Sequence, residues 1–282
     1  MEIITFSAIK GGVGKTTLAF NYGEWLAKNG KHVLLIDLDH QSNLTQTYNI
    51  YDNQDTVGNI FLDRGKVKIH EISAYISLIA GDMHLDDIER TIENKTNKNM
   101  FLYMWLSDNY ERLNLGKFEY IILDCHPDFS TATKNAVIIS NAILSPITPS
   151  EHGYNAKFNL EERINELRKE AIDYSTRKSY VTTKLFFIAN MIKHNTRSSR
   201  ELLKALKGDP SVLATVPEKE LFNRSTLDKN LFQKWLKTTK HILINMNFLI
   251  VWTKHLMKSR KNYKYFIHVL ITRILNTCAC EL

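Results

Sequence analysis

The sequence predicts an α/β fold, with a mostly parallel, twisted sheet that carries helices on both faces. Short runs of almost continuous apolar residues recur along the chain, and such runs are typical of strands buried on both faces. Stretches with apolar residues at helical spacing separate these runs, which is the alternation of a parallel sheet. A glycine-rich turn at residues 10–14 joins the first apolar run to the first helical stretch.

Seven strands are expected from the apolar runs, because each run stops at a polar, glycine or proline residue. The strongest are HVLLI at 32–36, FEYIIL at 118–123 and LFFIA at 185–189. The predicted strands are 3–9, 32–36, 75–80, 118–123, 142–147, 185–189 and 212–216.

Seven helices are expected between these strands. In the first helix Leu18, Tyr22 and Trp25 recur at helical spacing, and Asn29-Gly30 is typical of a helix end. The long helix before the sixth strand has an apolar inner face and many outward charges. The predicted helices are 15–29, 43–48, 56–62, 84–93, 99–113, 130–140 and 156–174.

Size and composition favour one main domain in a reducing compartment. The 282 residues are 44% hydrophobic and include only five prolines, so no proline-rich linker divides them. The three cysteines, Cys125, Cys278 and Cys280, form no ligand framework, which indicates free thiols in the cytoplasm. No signal peptide is expected, since the first apolar run is short.

The positive charge is concentrated near the carboxyl end of the chain. Residues 234–282 contain nine Lys or Arg and one acid, a net charge of +8, whereas the whole chain carries +7. The remaining residues therefore sum to −1, and the basic character of the chain does not by itself indicate that residues 1–233 bind DNA. We predict a domain at 1–233 and a basic tail at 234–282.

The tail allows three interpretations. It could be a basic amphipathic segment on a membrane or on DNA, or a helical extension packed on the domain. It could also be a disordered end, or a segment encoded in an altered reading frame. Its apolar runs, 248–252 and 266–275, are shorter than the roughly 20 residues that a membrane-spanning helix needs.

The glycine-rich turn has the features of a phosphate-binding loop. Backbone N–H groups of a flexible glycine loop, together with a helix N-terminus, bind anions. Lys15 can reach the β- and γ-phosphates of a nucleotide, and the Thr16 hydroxyl can bind Mg²⁺. The predicted phosphate-binding residues are Lys10, Gly11, Gly12, Val13, Gly14, Lys15, Thr16 and Thr17.

The loop departs from the general P-loop pattern, because Ile9 stands where that pattern has its first glycine. The run K-G-G-V-G-K-T-T at 10–17 resembles the deviant P-loop (deviant Walker A motif) of the ParA/MinD family of ATPases. The resemblance covers residues 1–233 and implies a P-loop NTPase fold. It also implies that Lys10 crosses a dimer interface to contact the partner's nucleotide.

Two aspartates follow the second strand, where ligands bind in parallel sheets. The run Asp37-Leu38-Asp39-His40-Gln41-Ser42-Asn43 resembles the family's D-x-D-x-Q-x-N switch segment. The resemblance implies that Asp39 orients the attacking water and that Asp37 supports the Mg²⁺ site. Together, Lys10, Lys15 and Asp39 are the expected catalytic residues.

A third aspartate, Asp124, follows the strand 118–123 and matches the Walker B pattern, whose carboxylate holds a Mg²⁺-bound water. Thr16, Asp37 and Asp124 are therefore the expected metal-site residues. The family follows this aspartate with x-P-P, whereas this chain has Cys125-His126-Pro127, which leaves the conformation of the loop open. His126 is interpreted either as a general base or as a loop residue near phosphate, and the second interpretation is favoured.

The resemblance extends to the last two strands. An asparagine at the end of the penultimate strand contacts adenine in similar proteins, which implies this role for Asn190, and Pro217 begins the loop near the base. Basic residues of this region bind DNA through phosphates in partition ATPases, and ordinary surface charge is the competing interpretation. The predicted DNA contacts are Lys193, Arg197, Arg200, Lys219 and Arg224.

The resemblance implies an ATPase that binds ATP and Mg²⁺ and forms a homodimer with ATP. The first hypothesis is a plasmid-partition ATPase near the nucleoid that binds DNA non-specifically and is stimulated by a centromere-binding adaptor protein. The alternatives are a MinD-like ATPase recruited to a membrane, which is less expected, and an ATP-sensing DNA-binding regulator. Nitrogenase-like electron transfer is disfavoured, since residues 1–233 lack a pair of cluster-binding cysteines.

Overall fold

The computed structural model describes residues 1–150 and 155–218. Lys219, Arg224 and the predicted tail at 234–282 lie outside the described residues. Within them, the model confirms the α/β class expected from the sequence.

One sheet of eight strands forms the centre of the fold, in the order β3-β4-β2-β5-β1-β6-β7-β8. Every neighbouring pair is parallel except β3 and β4, which are antiparallel. The strands are β1 Glu2–Phe6, β2 Val33–Leu38, β3 Ile69–Glu71, β4 Ile76–Ile79, β5 Tyr120–Cys125, β6 Ala142–Ile147, β7 Lys184–Ile192 and β8 Val212–Pro217.

Eight α-helices of the described residues connect these strands, together with 3₁₀ turns at Lys98–Met100 and Leu115–Lys117. The helices are α1 Lys15–Lys28, α2 Asn43–Thr47, α3 Gly58–Leu62, α4 Leu85–Ile92, α5 Phe101–Asp108, α6 Thr131–Ile139, α7 Asn155–Glu170 and α8 Arg197–Ala205.

Helices cover both faces of the sheet, because alternate strand residues point in opposite directions. On one face α1 packs so closely that a Cβ at Gly23 would lie 2.9 Å from a methyl carbon of Leu35. On the other face Leu34 and its neighbours form a core cluster with side chains of α3, α5 and α6. The absence of a side chain at Gly23 therefore lets α1 approach the sheet.

Several element boundaries differ from those expected. β1 ends at Phe6 rather than at 9, so Ala8 and Ile9 belong to the loop that leads into α1. α7 ends at Glu170 rather than at 174, because the Asp173 side chain accepts hydrogen bonds from the N–H groups of Ser175 and Thr176 and closes a turn. The predicted helix 99–113 is shorter, since α5 ends at Asp108.

Strand β3 was not expected from the sequence. It has only three residues, IHE, and none of them is fully buried. It lies at the edge of the sheet, where no continuous apolar run is required.

The register of the central strands determines where the site lies. Asp37 of β2 and Asp124 of β5 are direct neighbours across the two strands. Both side chains therefore lie on the α1 face, near the carboxyl ends of β2 and β5. Since α1 begins at Lys15, directly after the glycine-rich loop, its N-terminus is brought to the same edge.

Candidate functional site

The glycine-rich loop has the backbone conformation that its glycines predict. Gly12 and Gly14 have φ values of +70° and +89°, in the left-handed region that favours glycine. Gly14 is the N-cap of α1, and its carbonyl oxygen accepts a hydrogen bond from the Leu18 N–H at 3.0 Å. A Cβ at Gly14 would lie 2.6 Å from Nδ2 of Asn190, so a side chain has no room there.

Asn190 connects this loop to strand β7. Its buried side-chain amide donates a hydrogen bond from Nδ2 to the Val13 carbonyl oxygen at 2.8 Å. This contact was not expected from the sequence, because the two residues are 177 positions apart. The adenine contact of Asn190 remains a prediction.

Strand β7 has an irregular backbone immediately after Asn190. Met191 has a φ of +56°, and the pairing of β7 with β8 shifts register between Ala189 and Ile192. Beyond the shift, Ile192 pairs with Pro217. The structure thus brings Asn190 close to the loop, with Pro217 opposite Ile192 on the neighbouring strand. The proximity of Pro217 to adenine also remains a prediction.

Lys15 is the first residue of α1, and its side chain is buried among carboxylates. Burial lowers the pKa of Lys15, whereas the negative charges of Asp124 and Asp39 raise it. A buried ammonium group at a helix N-terminus places positive charge where a phosphate binds.

Asp37 is fully buried and anchored by three hydrogen bonds. Its Oδ2 accepts from the Thr45 N–H at 2.9 Å and from the Thr45 hydroxyl at 2.7 Å, and its Oδ1 accepts from the Asp39 N–H at 3.1 Å. Burial nevertheless raises the pKa of Asp37 to about 6. Gly81 lies against this carboxylate, and a Cβ there would approach its Cγ to 3.0 Å.

Asp124 is also fully buried, but neither of its carboxylate oxygens has a hydrogen-bond partner. Burial and the nearby charge of Asp37 raise its pKa well above the usual range. The Thr16 hydroxyl and the Lys15 ammonium oppose this shift, but neither forms a hydrogen bond of standard geometry with the carboxylate. Unpaired buried carboxylate oxygens next to a hydroxyl fit a hard cation such as Mg²⁺.

Asp39 follows β2, and its side chain is only 6% exposed. Its Oδ1 accepts a hydrogen bond from the Gln41 N–H at 2.9 Å. The ring of His40 faces the ring of His126, with centroids 4.2 Å apart. The sequence pointed to His126 alone, because the two histidines meet only through the pairing of β2 with β5.

Lys10 differs from Lys15 in being exposed at the surface. Its Nζ donates a hydrogen bond to the Ser150 hydroxyl at 3.1 Å. An exposed position is compatible with a contact to a second molecule, and that contact remains a prediction.

The described part of the predicted DNA-binding surface lies at and before α8. Lys193 and Arg197 are paired with acids, Lys193 with Glu218 at 3.3 Å and Arg197 with Glu201 at 2.7 Å. Arg200 is exposed on the same helix and is not among the ion pairs of the described residues. Among the predicted DNA contacts that the structure describes, Arg200 is thus the residue whose charge is not offset by an ion pair.

Comparison with known proteins shows the family to which the chain belongs. A family model described as an AAA domain, AAA_31, matches residues 1–176. The sporulation initiation inhibitor protein Soj of Bacillus subtilis is 31% identical over 180 residues, which are 59% of this chain and 65% of Soj. The chromosome partitioning protein ParA of Caulobacter vibrioides is 28% identical over 153 residues, 52% of this chain and 56% of ParA. The chain thus spans less than two thirds of the length of either relative.

Solved structures have the same fold. A plasmid partition protein of Borrelia burgdorferi bound to AMPPNP is 23% identical, with a TM-score of 0.69, and the match covers 90% of this chain and 99% of that one. An ATP complex of a McdA variant from Cyanothece is 20% identical, with a TM-score of 0.74, and covers 89% of this chain and 95% of that one.

The fold and the loop geometry define a protein of the P-loop NTPase class. Because the AAA_31 model matches more than half of the chain, the chain belongs to this family, and partition proteins of the ParA type are among the proteins to which it is similar. None of the helices in 1–150 and 155–218 combines the length and apolar character needed to span a bilayer.

The burial of Asp124 leads to a prediction about stability. Replacing Asp124 by Asn removes a buried carboxylate whose burial and repulsion from Asp37 outweigh its attraction to Lys15, so we expect the free energy of unfolding at pH 7.5 in EDTA to rise by about 1–3 kcal/mol. Urea unfolding measures this change. The exposed Asp63→Asn variant is the control and should change stability by less than about 0.5 kcal/mol. A loss of stability in Asp124→Asn would contradict the absence of partners around this carboxylate.

Proposed function

We propose that this chain is a dimerising ATPase that drives plasmid partition and DNA segregation. In this proposal it acts in the cytoplasm at the nucleoid, binds DNA without sequence preference in its ATP state, and hydrolyses ATP slowly until a centromere-binding adaptor protein stimulates it. The observation that carries the proposal is the unpaired, buried carboxylate of Asp124 beside Thr16 and Lys15, at the end of a phosphate-binding loop.

The loop from Lys10 to Thr17 binds the phosphates of ATP. Its glycines direct backbone N–H groups toward the anion, and the N-terminus of α1 adds a favourable dipole. Lys15 contacts the β- and γ-phosphates, and its burial strengthens that attraction because the local dielectric is low. Asn190 and Pro217 bind on the adenine side.

The oxygen groups around Asp124 bind Mg²⁺. Thr16 and Asp124 would hold the ion, and Asp37 would support this arrangement from its hydrogen-bonded position. Bound Mg²⁺ supplies neutralising charge to the phosphates. The donor set is oxygen only, as this ion prefers.

Asp39 orients the water that attacks the γ-phosphate. Lys10 completes the site in trans, so that ATP occupancy favours a dimer of two chains. Its exposure supports this role, because a buried lysine could not reach a second molecule. Positioning and charge neutralisation are sufficient for phosphoryl transfer.

The proposal predicts separate effects for two substitutions at the site. Asp39→Ala should retain ATP binding but lower the rate of hydrolysis at least about 100-fold, because the water loses its positioning group. Lys15→Ala should lose ATP binding itself. A fluorescent ATP analogue measures binding, and phosphate release measures turnover.

The control for Asp39→Ala is Asp63→Ala, which removes an exposed carboxylate from another loop and should leave both measurements unchanged. Normal hydrolysis by Asp39→Ala would show that this aspartate does not position the water.

The proposed DNA surface includes the exposed face of α8. Arg200 and Lys204 are exposed and four positions apart, so they lie on one side of the helix. Non-specific binding requires positive charge along the phosphate backbone and no base contacts.

The double variant Arg200→Ala/Lys204→Ala should bind plasmid DNA more weakly in the presence of an ATP analogue. Its affinity should also depend less on salt, with the slope of log K against log salt reduced by about 1–2. Lys28→Ala, at the exposed end of α1, is the control for loss of positive charge. An unchanged affinity and slope in the double variant would exclude α8 from the DNA surface.

A further inference from the structure

Two histidines face each other above the predicted catalytic aspartate. The rings of His40 and His126 are 4.2 Å apart between centroids and tilted by 33°. Both side chains are partly buried, so they are neither core residues nor freely solvated. They follow the neighbouring strands β2 and β5, which brings them together despite their separation in sequence.

Asp39 completes a cluster of possible ligands with these histidines. One ring nitrogen of each histidine and one carboxylate oxygen of Asp39 all lie within 4.8 Å of one another. Ligand atoms on a tetrahedral zinc ion lie about 3.4 Å apart, so small side-chain rotations would bring the three onto one ion. Two imidazoles and a carboxylate suit Zn²⁺ and similar first-row ions, whereas Mg²⁺ prefers oxygen ligands.

His126 is held in a defined orientation by Asp128. Its Nδ1 lies 3.0 Å from Oδ2 of Asp128. Oδ1 of Asp128 in turn accepts a hydrogen bond from the Ser130 N–H at 3.1 Å. With Nδ1 donating to the carboxylate, Nε2 keeps its lone pair, and a carboxylate behind the imidazole is the usual support of a metal-binding histidine.

We propose that Asp39, His40 and His126 form a binding site for a divalent transition-metal ion such as Zn²⁺, distinct from the oxygen groups around Asp124. Occupation of this site takes the Asp39 carboxylate out of position for the attacking water and stops ATP turnover. This consequence rests on the proposed function, whereas binding of the ion does not.

The binding test uses Co²⁺ as a spectroscopic substitute for Zn²⁺ in the 282-residue chain without a histidine tag. Cys278→Ser and Cys280→Ser are introduced into every protein compared, because these two thiols could bind the same ion. We expect one equivalent of Co²⁺ to give a visible d–d absorption band typical of low coordination number, and Zn²⁺ to displace it.

Four variants test the assignment of the ligands. Affinity for Zn²⁺ should fall more than about 100-fold in His40→Ala and in His126→Ala, and about 10–100-fold in Asp128→Asn, which removes only the supporting carboxylate. His32→Ala, at the amino end of β2, is the control and should bind normally. Co²⁺ binding that persists in either His40→Ala or His126→Ala would overturn the site.

The regulatory consequence is tested by the ratio of hydrolysis rates with and without one equivalent of Zn²⁺ at saturating Mg²⁺. We expect this ratio to be about 0.1 or less in the Cys278→Ser/Cys280→Ser protein and to stay near one when His126→Ala is added. An equal ratio in both would overturn the regulatory role. Absence of hydrolysis in every protein would contradict the proposed function, while the cobalt spectrum would still decide whether the metal site exists.

Discussion

The constraint on which this site depends is the burial of Asp37 and Asp124 side by side at the ends of β2 and β5. Parallel register places the two carboxylates next to each other, and the buried ammonium group of Lys15 partly offsets the charge of Asp124. The pKa of Asp37 is about 6 in the folded protein instead of 3.8. The fold is therefore more stable by roughly 3 kcal/mol when Asp37 is protonated than when it is ionised. That stability is present below about pH 4 and is lost as the pH rises through about 6. Near neutral pH the fold therefore retains a destabilising group, as expected where carboxylates serve binding rather than stability.

Hydrogen bonds hold the groups of the site in place from two directions within the sheet, one toward β4 and the other toward β7. On one side, Thr45 accepts a hydrogen bond from the Gly81 N–H at 2.8 Å and donates its own to Asp37, which connects the end of β4 to the carboxylate. On the other side, Asn190 connects β7 to the glycine-rich loop through Val13. Loss of either set of hydrogen bonds would move charged groups at the site. We therefore expect nucleotide binding to depend also on residues, such as Thr45, that are not among the predicted nucleotide contacts.

Much of this arrangement could be predicted from local sequence. The glycines and lysines of the loop, and the aspartates at the ends of apolar runs, have positions set by neighbouring residues and by the common polarity of parallel strands. Three features could not be predicted: the edge strand β3, the contact between Asn190 and Val13, and the pairing of His40 with His126. Each depends on which strands become neighbours in the sheet, and no local pattern in one sequence specifies that order.

The central claim is that ATP completes the site by bringing a second chain, with Lys10 as the bridging cation. The most direct test is the mass of the protein in solution, measured by light scattering with Mg²⁺ and either AMPPNP or ADP. We predict a dimer with AMPPNP and a monomer with ADP for the unmodified chain, and a monomer in both conditions for Lys10→Ala. A monomer with AMPPNP in the unmodified chain, or a Lys10→Ala variant that still dimerises, would contradict the account.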